Sequence, residues 1–145
     1  MADVKRKILV VDDDPEVASV IKEMIEFLGY STLAAYDGLE GIRVTEEYNP
    51  DAVFTDVFMP QLDGIGMLKQ LRERDYKGPT CLMSGYIHQD KFGRHHLLPP
   101  LPDKLSEYGI DETSRPMYFT AILKKPCSTE DIERILNDFF PERSP

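Results

Sequence analysis

The sequence predicts an α/β fold, a parallel sheet with helices on both faces, and three observations carry that prediction. Residues 8–11, 52–55, 81–83 and 121–123 form short, continuous apolar runs rather than alternating ones, as strands covered on both sides do. Segments of helical period separate them, and parallel neighbours need such crossovers. Reactive polar residues follow the runs at their carboxyl ends, where an open parallel sheet places its ligands.

Each element has its own justification. The run 8–11 ends at three acids, and the helix predicted over 15–28 starts with Pro15 and Glu16 and is closed by Gly29. Residues 31–35 make a weaker fifth strand. The helix over 38–48 stops at Asn49-Pro50, the helix over 65–74 ends before Gly78-Pro79, and the last helix is expected over 129–140. Between 87 and 119 no clean helical period survives Pro99-Pro100, Pro102 and Pro116, and only a short helical turn is predicted, near 104–108. A stretch that long is a special feature rather than an ordinary connection.

With 145 residues, 41% of them hydrophobic, the chain is expected to be one domain, with a core over 7–140, an insertion over about 87–119 and a short tail over 141–145. The net charge of -9 argues against non-specific binding to nucleic acid or anionic membrane, which needs cations that are not outnumbered. No apolar segment approaches the roughly 18 residues of a membrane span, so a cytoplasmic protein is expected. Cys81 and Cys127 have neither metal-ligand nor disulfide-framework spacing and read as structural.

The acids Asp12, Asp13 and Asp14 set an electrostatic problem. Two like charges ~4 Å apart cost about 4 kcal/mol at an effective dielectric near 20. Asp14, directly before Pro15, is explained as a helix cap. Asp12 and Asp13 are not, and beside a third strand-end acid, Asp56, they point to a hard divalent cation such as Mg²⁺. Next to a metal and a lysine, the Asp56 carboxylate can attack a phosphoryl group. Lys125 is a suitable phosphate ligand, and the Ser84 hydroxyl can donate to a phosphoryl oxygen. Asp63-Gly64 reads as a turn and helix start, Lys124 as a surface lysine. His88, His95 and His96 read as a solvated loop rather than a metal site, since adjacent residues of a regular element point to different sides.

In this order and combination, 8–15 (ILVVDDDP), Asp56-Val57-Phe58-Met59-Pro60 with Asp63-Gly64, Ser84-Gly85 and Lys125-Pro126 resemble the receiver domain of two-component response regulators, over nearly the whole of residues 7–140. The resemblance implies a flavodoxin-like, doubly wound, five-stranded sheet of order 2-1-3-4-5. It implies that Asp56 accepts a phosphoryl group from a histidine kinase or phosphotransfer protein, that Asp12, Asp13, Asp56 and the backbone carbonyl of Phe58 hold Mg²⁺, and that Ser84 and Lys125 contact the phosphoryl oxygens. The chain is then a switch, whose chemistry is limited to Mg²⁺-dependent self-phosphorylation and self-dephosphorylation, acting as a monomer or a phosphorylation-dependent dimer.

Departures from the family pattern are also legible. The switch position three residues before the lysine, often Tyr or Phe, is Ile122, and the segment from Ser84 to Lys125 is longer than usual. Phe58 and Tyr86, two residues after Asp56 and Ser84, occupy positions that tune attack by water on the acyl phosphate. They are expected to shield it; otherwise Phe58 packs on the loop and Tyr86 points to solvent. An aspartate-based phosphatase would want an acid where Phe58 stands, and an unphosphorylated scaffold would not need the full set of phosphoryl-handling residues. The tail is too short for an output domain, leaving either a stand-alone receiver or a piece of a longer regulator.

Overall fold

The computed structural model describes residues 4–143, so the first three residues and the last two of the expected tail lie outside the described residues. Five parallel strands, β1 (Lys7–Val11), β2 (Ser31–Ala35), β3 (Ala52–Asp56), β4 (Thr80–Ser84) and β7 (Ala121–Lys124), form one sheet in the order β2-β1-β3-β4-β7. Numbered within that sheet alone, this is the expected order 2-1-3-4-5.

Alternation along each strand divides the core in two. On one face Ile8, Val10, Phe54, Cys81 and Met83 pack under α1 (Pro15–Phe27) and α5 (Thr129–Phe139). On the other, Leu9, Val11, Val53 and Leu82 pack under α2 (Gly38–Tyr48) and α3 (Gly64–Glu73). The helix starts are held chemically. Asp14, Asp37, Asp63 and Ser128 each accept first-turn N–H bonds, and Ser128 with Asp131 closes a reciprocal capping box.

The segment 87–119 departs from the expectation of an irregular stretch with one helical turn. It holds an antiparallel hairpin of β5 (Ile87–Gln89) and β6 (His95–Leu97), a seven-residue helix α4 (Leu101–Glu107) and a 3₁₀ turn at Arg115–Met117. Strands of three residues are too short to show a period, which is why pattern reading misses them. The turn chemistry is nevertheless present. Asp90 accepts from the N–H groups of Phe92 and Arg94, and Gly93, at φ 79°, takes the left-handed position after the turn. Ile87, Leu101, Leu105, Ile110 and Phe119 are buried in the α2–α3 side of the core and tie the segment down.

Candidate functional site

Asp12 follows β1, Asp56 and Ser84 close β3 and β4, and Lys125 follows β7, so all four emerge along one edge of the sheet. Val11 is level with Thr55, which sets Asp12 and Asp56 side by side. One oxygen from each of Asp12, Asp13 and Asp56 lies within 4.8 Å of the others. The Lys125 ammonium donates to Asp12 Oδ2 at 2.9 Å and lies 3.2 Å from Asp56 Oδ1. Asp12 is 1% exposed, and its other oxygen accepts from the Asp14 N–H at 3.0 Å. Asp14 turns away to cap α1, accepting from Glu16 and Val17.

The electrostatics follow from this packing. Burial raises the Asp56 carboxyl above its ordinary range; Lys125 opposes the shift and the Asp12 charge adds to it. Burial alone would lower the Lys125 ammonium, but its bond to Asp12 and the charges of Asp56 and Asp12 prevail and raise it. One cation facing three carboxylates leaves the cluster negative. Converging oxygen donors with surplus negative charge fit a hard divalent cation.

Around this centre, buried Ser84 accepts the Tyr86 N–H at 2.9 Å through its side-chain oxygen. The Phe58 and Tyr86 rings meet edge to face, with centroids 5.4 Å apart. Phe58 is half-buried against the core, while Tyr86 remains 47% exposed. Ile122 is level with Leu82 and packs into the α2–α3 side of the core. Its side chain has no hydroxyl to move between partners.

Asp63-Gly64 does form the expected helix start, and two features go beyond it. A Cβ on Gly64 would lie 1.9 Å from the Asp56 carbonyl oxygen, so the loop carrying Asp56 closes only over glycine. The Gly64 N–H also donates to Val57 O at 2.7 Å. The second is Asp63. Besides capping α3, it accepts from the Tyr108 hydroxyl at 2.9 Å and lies 3.8 Å from Lys104 Nζ, so the segment 87–119 is tied to the loop after Asp56. The Asp-Gly pair at a helix start was the available signal for Gly64. Nothing in sequence marked Tyr108.

Residues 8–97 match the family model described as the response regulator receiver domain. The chain belongs to that family. As a receiver it is a two-component signalling module, and its sequence relatives agree. It is 37% identical over 78 residues to the transcriptional regulatory protein PrrA of Mycobacterium tuberculosis, covering 54% of this chain and 34% of PrrA. It is 46% identical over 78 residues to the response regulator MprA of Mycobacterium sp. (strain KMS), again covering 54% and 34%. The matches thus span about a third of these curated relatives. The Francisella response regulator 1452 receiver domain superposes with a TM-score of 0.71 at 27% identity, over 96% of this receiver and 99% of that chain. A CheY-like receiver from Methanospirillum hungatei superposes at 0.75 over 96% of each chain, and at 20% identity it supports the fold alone. The family model ends within β6, so Lys125 and α5 rest on the sheet topology and the structural comparison. Among the described residues no helix is long and apolar enough to cross a membrane.

Proposed function

We propose that this receiver is a phosphorylation switch in which Asp56 is the phosphoacceptor, charged by a histidine kinase or phosphotransfer protein. The observation that supports this reading most directly is the convergence of Asp12, Asp13 and Asp56 with Lys125 at one sheet edge. An Asp56 oxygen would attack the phosphorus in line as the donor's P–N bond breaks. Lys125, already at Asp56, is placed to move onto the incoming phosphoryl oxygens, and Ser84 can donate its hydroxyl to them while keeping the Tyr86 N–H.

The residues proposed to hold Mg²⁺ are Asp12, Asp13, Asp56 and the backbone carbonyl of Phe58; the ion would neutralise charge on the carboxylates and the transferring oxygens. Phe58 and Tyr86 would shield the acyl phosphate from water, an assignment supported by their mutual packing. The added charge, about -1.5 to -2 for a phosphoryl group, is a local event that needs a bistable element to read it. The Asp63–Tyr108 bond makes the segment 87–119 that element in our reading, with Ile122 packed in the core in place of a swinging aromatic. The whole chain 1–145 is read as one receiver unit.

Incubation with acetyl phosphate and Mg²⁺, followed by intact-mass measurement, tests the assignment. Wild type should gain one phosphoryl group, and Asp56→Asn should gain none. Modification that persists in the variant refutes it. Phe58→Asn and Tyr86→Ala should each shorten the phosphoryl lifetime, and unchanged lifetimes remove the shielding role.

A further inference from the structure

The outward face of the β5–β6 hairpin carries a second group of metal-competent side chains. His88 and His96 are directly opposite in the antiparallel register, so both project to the same side, whereas His95 pairs with Gln89 and projects to the other. The His88 and His96 rings lie 6.2 Å apart, centroid to centroid, tilted by 31°. His96 Nε2 is 2.8 Å from Asp90 Oδ2. Asp90 in turn is fixed by the Phe92 and Arg94 N–H groups at 2.8 and 3.0 Å and by Arg94 Nε at 3.0 Å.

This arrangement has a definite chemical consequence. A carboxylate only accepts hydrogen bonds, so the His96 nitrogen facing Asp90 carries a proton, and in the neutral imidazole Nδ1 is then the nitrogen with a lone pair to give a metal. A carboxylate fixing the far nitrogen of a metal-ligating imidazole is the usual outer support of such a ligand. His88, across the ladder and on the same side, supplies a second imidazole, and its exposed ring has to close on His96 for both nitrogens to reach one ion. The geometry points to a divalent transition-ion site on the hairpin, with His96 Nδ1 and His88 as ligands, Asp90 as the supporting carboxylate and water completing the shell. Imidazole donors select Zn²⁺, Ni²⁺ or Cu²⁺ over Mg²⁺, which prefers oxygen, so this site and the acidic sheet edge would take different ions. Binding needs no redox partner: two metal–nitrogen bonds form and bound water leaves.

A surface ion pair accounts for His96 and Asp90 but gives His88 no role, and the variants separate the two readings. Zn²⁺ titrated calorimetrically into the full chain, with Mg²⁺ in large excess to occupy the acidic edge, should show one site. That site should weaken at least tenfold in His88→Ala and in His96→Ala, and about tenfold in Asp90→Asn, while His95→Ala leaves it unchanged. Absence of such a site in wild type, equal affinity in either ligand variant, or an equal loss in His95→Ala overturns the proposal. The readout is metal affinity, independent of whether Asp56 is phosphorylated.

Discussion

The sheet edge and the segment 87–119 hold their residues by opposite means. At the edge, Asp12, Asp56, Ser84 and Lys125 sit where parallel strands end, and the positions follow from register: Val11 beside Thr55, Asp56 beside Met83, Ser84 beside Lys124. In the segment, strands of three residues and a helix of seven supply little order of their own, and position comes from buried anchors such as Leu101 and Leu105 and from side-chain bonds to α3. Lys69 Nζ donates to Tyr108 O at 2.9 Å, and Arg72 Nε donates to Met117 O at 2.6 Å. The chemistry rides on strand register, while the segment is held by buried anchors and by side-chain bonds, the Asp63–Tyr108 bond among them.

Gly64→Ala is the strongest attack on the sheet edge. The new methyl meets the backbone of Asp56 rather than a flexible side chain, so overpacking should cost about 3 kcal/mol in chemical denaturation and slow phosphorylation by acetyl phosphate. Unchanged stability would mean the loop yields more readily than its contacts indicate. In the segment, Leu105→Ala should cost about 2 kcal/mol, at the low end for a leucine of the core because Leu105 keeps slight exposure. Hydrogen exchange should then rise over 87–119 while the five central strands keep their protection. Equal loss of protection in both regions would show them to be one cooperative unit.

Smaller perturbations sharpen the link between the two regions. Tyr108→Phe removes the hydroxyl from Asp63 and should cost about 1 kcal/mol. It should also reduce the change in exchange over 87–119 that accompanies phosphorylation, and a full response in the variant would route the coupling elsewhere. The smallest effect is a titration. Burial, then the bond to Asp63, pushes the Tyr108 phenol up to about 12, above the ordinary value near 10. Because the neutral form is the one favoured by folding, this contribution is present below pH ~10 and is lost as pH rises through the folded value. Absorbance of the tyrosinate should show Asp63→Asn lowering that titration; no movement would remove Asp63 as a cause.

Much of the sheet and its edge was legible because buried parallel strands leave an unmistakable pattern. Residues 38–48 and 31–35 were placed with their observed bounds, and the other paired elements within a residue or so. Asp14 was separated from Asp12 and Asp13 by its position before Pro15, and its side chain does cap α1. The acid cluster calls for cations, and the strand-end pattern offers a metal and a lysine; Lys125 does bridge Asp12 and Asp56. The hairpin went unseen despite its Asp-Lys-Phe-Gly turn, because without a period on either side the turn had nothing to connect.

The linear order of residues by itself determined the two periodicities, the capping acids and the placement of Asp12, Asp56, Ser84 and Lys125 at strand ends, since these depend on local backbone geometry and on burial of both sheet faces. Tertiary structure alone decided which distant side chains meet. Tyr108 reaches Asp63 across 45 residues, and hairpin pairing sets His88 opposite His96 while turning His95 to the far side. The physical reason is the same in both cases: these contacts are selected by three-dimensional register and packing, which leave no signature in the spacing of the residues that make them.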